Sequence, residues 1–418
     1  MSAFSSAAIE VRKRVGVGIM MLGLAAALPG RGGTVAAPYQ VGTWAGFRNG
    51  AVSFTFDDDC ANQYIIAQPL FQSNNLNMTL FTVTSWETTW PKVQLAAAAG
   101  DEIGSHTVTH PDLTTVSPAQ LTNELANSQA TINSYVTNEK CLTLAYPYCT
   151  VPSEAVTAAY YIAARICSGV INPSTPSDFY RISSYVCGNT GTITNVPSFT
   201  NLANSAANNS GWCVYLIHGI DNDGGYSPTS SAVLTSVMQF FNTNRSRFWV
   251  QTFGNVVRYI RERNAVSISD VTNAPYSITV HINQTLDDSI YNYPITVRRP
   301  LPAGWPEALV TQNGLPLDGQ IVTVNSTACV MFDAVPNAGD VLLTETAAQP
   351  VLSNPGTSSL PNFTFQLSGD ARAVYTVYSS GDLVNWSPVL TNLMTSPSTN
   401  LTLPAPYSMQ YYRAQWSP

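Results

Sequence analysis

The chain has 418 residues and a formal net charge of −7, with 45% hydrophobic and 10% charged residues. This length predicts two or three domains, and the apolar content excludes a disordered chain. Because the acidic balance leaves no basic footprint, we expect no nucleic-acid partner.

The N-terminal segment has the order of a secretory signal peptide. Basic residues at positions 12–14 precede an apolar run from Val15 to Leu28, and small residues follow at Val35, Ala36 and Ala37. The run is short for a membrane span, so we expect residues 1–37 to be removed. The mature protein is then expected to be secreted, periplasmic or on the cell surface, without a membrane span. A retained N-terminal anchor is the alternative.

Export affects the interpretation of the cysteines. In an oxidising compartment they are expected to form disulfides, and none of their spacings is a CxxC zinc pattern. The seven are Cys60, Cys141, Cys149, Cys167, Cys187, Cys213 and Cys329. An odd number leaves at least one unpaired, and Cys329 stands alone in the C-terminal half. We predict a bond between Cys167 and Cys187.

From about Trp44 to Arg263, short apolar runs alternate with helical patterns, which predicts repeated βα units and an α/β fold. Strands are predicted at 51–56, 78–83, near Ile103, and at 141–145, 212–217 and 248–252. Helices are predicted at 62–71, 91–99, 154–166, 231–242 and 254–263. A further helix begins after Ser117, with Pro118 first and Gln120 completing a capping box. Residues 172–209 are predicted to be long loops with weak strands.

After about Val266 the helical patterns stop and strand-like alternation takes over. A Pro-, Gly- and Ser-rich stretch at 351–360 is typical of a linker, and a small β unit follows at 363–416. The predicted organisation is therefore an α/β domain at 38–265, an all-β module at 266–350, and a linker with a small β-sandwich-like module at 351–418.

Polar side chains follow several of the predicted strands. His106 and His110, four residues apart, can bind one metal ion, and the acidic run Asp57-Asp58-Asp59, Tyr148 and His218 also come after strands. In a β/α barrel the C-terminal strand ends meet at one face, where active sites are built. Two histidines and one carboxylate form a typical catalytic zinc set. A second carboxylate could act as a general base, and His218 suits a general acid.

Each group alone has a simpler interpretation. The histidine pair could be solvated at a helix start, the aspartates could form a solvated loop or a calcium site, and His218 could be a satisfied core residue. The joint occurrence of the three groups favours one site. His281 lies in the β module and is not expected to take part.

The stretches Thr55 to Asp59, His106 to His110, Ala145 to Tyr148 and Leu216 to His218 resemble the ordered motifs of the polysaccharide deacetylase family. This family is also called the NodB-homology domain or carbohydrate esterase family four. The resemblance covers roughly residues 47–263. It implies a distorted (β/α) barrel that hydrolyses acetyl groups from polysaccharides with a divalent metal, usually zinc.

The resemblance also implies roles for single residues. Asp57 would be the general base, and His218 the general acid that protonates the leaving group. The metal ligands would be Asp58, His106 and His110. The backbone N–H of Tyr148 would help stabilise the oxyanion. Leu216 and Pro147 would contact the substrate, with Leu216 forming the pocket for the acetyl methyl group.

The chain departs from the family pattern at three places. Asp59 stands where Gly is common, Ala145 stands where the third motif begins with Arg, and no fourth motif, with its Asp and Trp, is found. We expect Arg165 or Arg181 to replace the missing Arg in space. The expected partner is an acetylated polysaccharide such as a chitin-like glycan, peptidoglycan or xylan, with N-acetyl favoured over O-acetyl. The alternative is a non-catalytic glycan-binding or cell-surface protein that retains the deacetylase fold.

Residues 379–386 and 411–414 resemble small β-sandwich modules at the C-termini of secreted bacterial proteins. Such a unit could be a spacer, a carbohydrate-binding module or a surface attachment. Trp305, Trp386 and Trp416 could stack on sugars, although aromatic residues of small β modules more often belong to the core.

Overall fold

The structure is a computed structural model that describes residues 33–86, 89–274, 276–357, 362–404 and 410–417. Most of the predicted signal segment, 1–32, lies outside these residues. At the start of the described chain, Val35 forms a β-bridge with Ile268, and the carbonyl of Thr34 accepts a hydrogen bond from the Ile268 N–H at 2.9 Å. None of the helices in the described ranges is both long and apolar enough to cross a membrane.

Nine parallel strands form the central sheet of the first 265 residues. One short strand, β1 (Gln40–Val41), precedes them and belongs to another sheet. The nine are β2 (Gly50–Asp57), β3 (Thr79–Thr82), β4 (Glu102–Ser105), β5 (Thr143–Ala145), β6 (Ala163–Ile166), β7 (Ile182–Ser183), β8 (Tyr185–Val186), β9 (Trp212–Ile217) and β10 (Phe248–Val250).

The strand order is β7-β6-β5-β4-β3-β2-β9-β8, and β10 lies beside the first residues of β2. The two edge strands, β7 and β8, are separated by a single residue, Ser184, so the sheet curls into a nearly closed barrel. This arrangement confirms the predicted distorted (β/α) barrel. All eight residues of β2 are buried, as expected for a strand covered on both faces.

Helices cover the barrel. They are α1 (Gln68–Ser73), which continues a π-helical turn at Gln63–Ala67, α2 (Trp90–Ala98), α3 (Pro118–Tyr135), α4 (Glu154–Thr157), α5 (Val196–Asn208), α6 (Ser231–Thr243) and α7 (Phe253–Ala265). Short 3₁₀ turns occur at Ala45–Phe47, Pro147–Cys149 and Phe179–Arg181. The predicted start of α3 is confirmed, because the Ser117 side chain accepts a hydrogen bond from the Gln120 N–H at 3.3 Å.

Three sequence-based predictions of elements are wrong. The predicted helix at 154–166 ends at Thr157, and its last residues form β6, because they complete the sheet beside β5. The predicted loops at 172–209 contain α5, which a capping box formed by Asn195 and Ser198 begins. The predicted linker at 351–360 begins with a strand, Val351–Thr357, that pairs with the next strand.

The remaining strands form antiparallel sheets. They are β11 (Ser267–Ala274), β12 (Ser277–Asn283), β13 (Ile295–Pro300), β14 (Glu307–Gln312), β15 (Leu315–Pro316), β16 (Gln320–Val324), β17 (Thr327–Ala334), β18 (Val341–Thr346), β19 (Val351–Thr357), β20 (Asn362–Ser368), β21 (Val374–Ser380), β22 (Ser387–Leu393), β23 (Ser398–Pro404) and β24 (Tyr411–Trp416).

Four sheets result from these strands. The orders β11-β12-β18-β14-β15 and β1-β13-β17-β16 enclose a core that also includes side chains of α7. The orders β19-β20-β23 and β22-β21-β24 enclose a separate, smaller core. Trp305 is buried in the first of these cores, and Trp386 and Trp416 are partly buried.

Candidate metal centre and active site

Asp58, His106 and His110 converge at the C-terminal end of the barrel. Asp58 follows β2, and the loop after β4 carries both histidines. The Asp58 Oδ1 atom lies 3.6 Å from His106 Nε2 and 3.7 Å from His110 Nε2. One ligand atom from each residue falls within 4.8 Å of the others, which is the spacing of a group that can hold one metal ion.

Left-handed backbone turns the loop after β2 toward the pocket. Asp58 has φ of 73° and Asp59 has φ of 53°. Asp is one of the few residues that visit this region, because its short side chain can hydrogen-bond locally. The Asp59 carboxylate accepts a hydrogen bond from the Val83 N–H at 2.8 Å, which explains how Asp stands where the family commonly has Gly.

Glu124 of α3 supports the loop that carries the histidines. One of its carboxylate oxygens accepts hydrogen bonds from the N–H groups of Val108 at 2.8 Å and Thr109 at 2.9 Å. Its other oxygen accepts from the Thr109 hydroxyl at 2.6 Å. Glu124 was not among the predicted site residues, although it lies in the helix that was predicted to begin after Ser117.

A hydrogen bond at Nδ1, the ring nitrogen that does not face Asp58, fixes the orientation of His106. His106 Nδ1 lies 2.8 Å from the carbonyl oxygen of Ala145, and a carbonyl can only accept, so Nδ1 carries the proton. Burial lowers the pKa of His106 to about 4, which keeps the ring neutral near pH 7. Burial likewise lowers the pKa of His110. Both rings therefore present neutral Nε2 atoms toward Asp58, as metal ligation requires.

Asp57, the last residue of β2, is buried and ion-paired. Its Oδ2 atom lies 2.5 Å from an Nη atom of Arg165 and 3.7 Å from His106 Nε2. Burial opposes the charged carboxylate, but the positive charge of Arg165 lowers the pKa of Asp57 overall. Its Oδ1 atom has no hydrogen-bond partner among the described residues, so one oxygen is available for another contact.

Arg165 supplies the guanidinium that the third motif lacks. Strands β5 and β6 are parallel neighbours, and Ala145 is the register partner of Arg165. The Arg165 side chain therefore starts one strand away from the motif position and still reaches Asp57. The other candidate, Arg181, is not at the site, because its guanidinium pairs with Glu154 at 2.5 Å on the surface.

The donor set fits a divalent cation. Two neighbouring carboxylates, Asp57 and Asp58, are brought together with little solvent, and burial with the charge of Asp57 raises the pKa of Asp58 to about 6. The Asp58 Oδ1 atom, which faces both Nε2 atoms, is buried and without a hydrogen-bond partner in the described chain. A cation held by Asp58, His106 and His110 would compensate the negative charge of the two carboxylates. It would also give the Asp58 Oδ1 atom a partner.

These residues line a pocket of about 520 Å³. His218, at the end of β9, faces the other side of Asp58, with its Nε2 atom 4.0 Å from Oδ2. Leu216 and Val186 are apolar lining residues, whereas Pro147 is buried in the turn before Tyr148 and is not part of the lining. Tyr148 lines the mouth in a left-handed conformation, with φ of 55°.

Exposed aromatic rings surround this mouth. Tyr148 is 67% exposed, and its ring centroid lies 4.8 Å from that of His110. Trp86 is 49% exposed and 5.1 Å from the same ring, and Tyr226 is 57% exposed and 5.0 Å from His218. Trp86 and Tyr226 were not predicted as site residues, because isolated aromatic residues in loops carry no spacing signal.

The predicted disulfide between Cys167 and Cys187 is wrong. Cys167 is bonded to Cys149, with a Cα–Cα distance of 5.7 Å, and Cys187 is buried and unpaired in the described structure. The turn at Pro147–Cys149 brings Cys149 beside the end of β6, which no sequence spacing indicated. Cys329 is also unpaired, as expected.

A nearly closed parallel barrel with an Asp-His-His set at its C-terminal face has its polar groups where β/α-barrel enzymes build their active sites. Residues 46–165 match the family described as polysaccharide deacetylase. The chain therefore carries a polysaccharide deacetylase domain at residues 46–165.

Known proteins resemble larger parts of the chain. A gellan lyase from a Bacillus species is 30% identical over 342 residues, which are 75% of this chain and 13% of that protein, so the chain spans only a small part of this relative. The Xyl-CE4 domain of a multidomain xylanase from the hindgut metagenome of Trinervitermes trinervoides is 18% identical, with a TM-score of 0.37 over 50% of this chain and 89% of that one. A CE4 family pseudoenzyme from Bacillus anthracis is 16% identical, with a TM-score of 0.37 over 50% and 65% of the two chains.

Proposed function

We propose that the protein is a zinc-dependent hydrolase that removes acetyl groups from a polysaccharide. The observation that carries this proposal is the pairing of the Asp57 carboxylate with Arg165, directly beside the Asp58, His106 and His110 set. A buried, charged carboxylate with one free oxygen next to a metal site suits a general base.

When bound, the metal would supply Lewis acidity, which makes water more acidic and polarises a carbonyl. Side chains and backbone groups of the protein would supply the proton transfers and the hydrogen bonds. Asp57 would take the proton of the attacking water at Oδ1, while Arg165 holds Oδ2. The N–H of Tyr148 would donate to the developing oxyanion. His218, on the other side of Asp58, would hold a proton for the leaving amine or alcohol, so that acetate and the deacetylated sugar result.

The exposed rings support a sugar substrate. Trp86, Tyr148 and Tyr226 offer apolar faces around the mouth, and such faces can bury the C–H face of a pyranose ring. Among the described residues, no Lys or Arg lines the pocket, which favours a neutral glycan over an anionic one. We favour N-acetyl over O-acetyl groups, with chitin-like glycans, peptidoglycan and xylan as candidates. The name of the relative, gellan lyase, refers to a polysaccharide, which supports a glycan substrate.

A glycan-binding protein without turnover is the second candidate, and the Ala145 substitution and the missing fourth motif motivate it. A lost guanidinium would leave Asp57 unpaired. Because Arg165 restores the ion pair, the geometry favours the enzyme.

Acetate release tests the proposal. The zinc-loaded protein is incubated with acetylated chitin oligomers, peptidoglycan and acetylxylan, and compared with Asp57→Asn. We expect acetate from at least one glycan, and a loss of about 10²-fold or more in the variant. Equal background release by both proteins from all three glycans would contradict the proposal.

Metal content is a separate measurement. Asp58→Ala is expected to lose bound zinc, whereas the neighbouring variant Asp59→Asn is a matched control that should retain it, because Asp59 faces Val83 rather than the histidines. Chelation should abolish acetate release, and added zinc should restore it. If Asp58→Ala binds zinc as wild type does, the assignment of the metal ligands is wrong.

Export to an oxidising compartment is also proposed. It rests on the signal-like segment 1–37 and is supported by the Cys149–Cys167 disulfide. N-terminal sequencing of the protein recovered outside the cytosol of its host is the test, and a mature chain that still begins at Met1 would contradict cleavage.

A further inference from the structure

We infer that the Cys149–Cys167 disulfide is a positioning element of the active site, which holds the turn carrying Tyr148 against the strand end carrying Arg165. This inference rests on the proposed function. It assigns to the disulfide an effect on turnover, in addition to any effect on stability.

The bond joins the segment that carries Tyr148 to the segment that carries Arg165. Cys149 directly follows Tyr148, and Cys167 lies two residues after Arg165. Their strands are parallel neighbours in the barrel, with Ala145 beside Arg165, so both segments leave the sheet at the same edge. Both cysteines line the pocket. A covalent link at this place therefore couples the proposed oxyanion donor to the residue that holds the proposed base.

The turn at Tyr148 needs such a link because its backbone adopts a conformation of high energy. Tyr148 and Cys149 have φ of 55° and 58°, a conformation that residues with bulky side chains rarely adopt. Burial does not hold Tyr148, since its side chain is mostly exposed. Besides the ring contact with His110, local hydrogen bonds hold the turn. The Cys149 N–H donates to the Tyr146 carbonyl at 3.0 Å, the Thr150 N–H and hydroxyl donate to the Pro147 carbonyl at 3.3 and 3.2 Å, and the Thr150 hydroxyl also donates to Asp112 at 2.8 Å.

Reduction would release this constraint. A phosphine reductant and one water convert the disulfide into two thiols and the phosphine oxide; the phosphorus supplies two electrons and the water supplies the oxygen and two protons. The turn can then leave the left-handed conformation, and the Tyr148 N–H moves away from the substrate. Because this donor acts on the transition state, kcat should fall more than KM rises.

Three variants separate positioning from stability. Cys149→Ala with Cys167→Ala removes the bond and keeps a side chain at the strained position. Cys149→Gly with Cys167→Ala also removes the bond, but Gly adopts positive φ without strain. Cys329→Ala removes a cysteine that is unpaired in the described structure and lies in β17, far along the chain from the site.

The kinetic experiment uses the zinc-loaded proteins well below their unfolding temperatures. We expect kcat of the double Ala variant to fall by about tenfold to a hundredfold, less than removal of an oxyanion donor costs, with KM within about twofold. The Gly-containing variant should recover part of this loss, and Cys329→Ala should match wild type. Phosphine treatment should lower wild-type kcat similarly and leave the double Ala variant as it was. A lower melting temperature with wild-type kcat in the double Ala variant would overturn the inference.

Amide hydrogen exchange gives an answer that does not need activity. Peptides covering residues 146–153 should exchange at least about tenfold faster in the double Ala variant than in wild type or Cys329→Ala. Equal exchange would overturn the inference, even if acetate is released. Faster exchange in a protein whose wild type releases no acetate would keep the constraint on the turn while the proposed function fails.

Discussion

Arg165 reaches Asp57 from the strand next to the one that the family motif uses. An arginine at position 165 can take the place of one at position 145 because Ala145 and Arg165 are register partners on parallel strands. Their Cα atoms therefore lie at the same level of the barrel. The guanidinium also donates to the Thr55 hydroxyl at 3.3 Å and lies over the Phe81 ring. The sequence could name Arg165 as a candidate but could not choose it over Arg181, since the choice depends on which segment forms β6.

Removal of Arg165 should therefore damage catalysis. Arg165→Ala leaves the buried Asp57 carboxylate without its counter-charge, and we expect kcat for acetate release to fall by about 10²-fold or more. Arg181→Ala is the matched control, because that arginine pairs with Glu154 at the surface. The double variant Ala145→Arg with Arg165→Ala tests the exchange itself and should recover part of the activity. Wild-type kcat in Arg165→Ala would show that the ion pair does not serve the reaction.

At the scale of elements, α3 contributes to the metal centre without touching it. Its Glu124 carboxylate accepts two backbone N–H groups of the loop between His106 and His110. Residues that orient metal ligands in this way typically change metal affinity by about 10–100-fold when removed. We expect Glu124→Ala to weaken zinc binding by this factor in a competition titration with a chelator. Glu124→Gln retains one acceptor oxygen, so its affinity for zinc should fall less than that of Glu124→Ala. If Glu124→Ala binds zinc like wild type, the loop is held by other contacts.

The elements also show what the sequence could predict. Strands β2 and β9 were predictable, because mostly apolar runs end at polar residues, and Asp58 and His218 follow these strands. The segment Ala163–Ile166 was predicted as helix because alanines near aromatic and aliphatic residues give a helical pattern, while its strand pairing with β5 depends on distant residues. The bond between Cys149 and Cys167 could not be predicted for the same reason, because the turn at Tyr148 brings together sulfur atoms that are distant in the sequence.

At the scale of the whole molecule, Glu262 couples the barrel to the following β module. Its carboxylate on α7 accepts the Tyr293 N–H at 3.0 Å, and burial raises its pKa to about 8. Between about pH 4.5 and pH 8 the folded state then binds more protons than the unfolded state, so the stability contribution present at low pH is lost as pH rises. Glu262→Gln cannot titrate and keeps an acceptor oxygen. We expect its melting temperature to fall less than that of wild type between pH 5 and pH 8. Parallel curves would contradict the raised pKa.

The two C-terminal β units should respond differently to truncation. The core of the sheets formed by β1 and β11–β18 includes Val256 and Ile260 of α7 together with Val297 and Phe332, so the barrel and this module share one apolar interior. The last unit, β19–β24, has its own core around Leu367.

A chain ending at residue 350 should therefore keep its zinc site, its acetate release and a melting temperature within a few degrees of the full chain. A chain ending at residue 265 exposes several large apolar side chains, each worth about 1.5–3 kcal/mol when buried, and should be insoluble or unfolded. Circular dichroism melting and zinc content of both truncated chains are the measurements. A stable, zinc-binding chain ending at 265 would show that the shared core is dispensable and that the predicted boundary at 265 separates two independent domains.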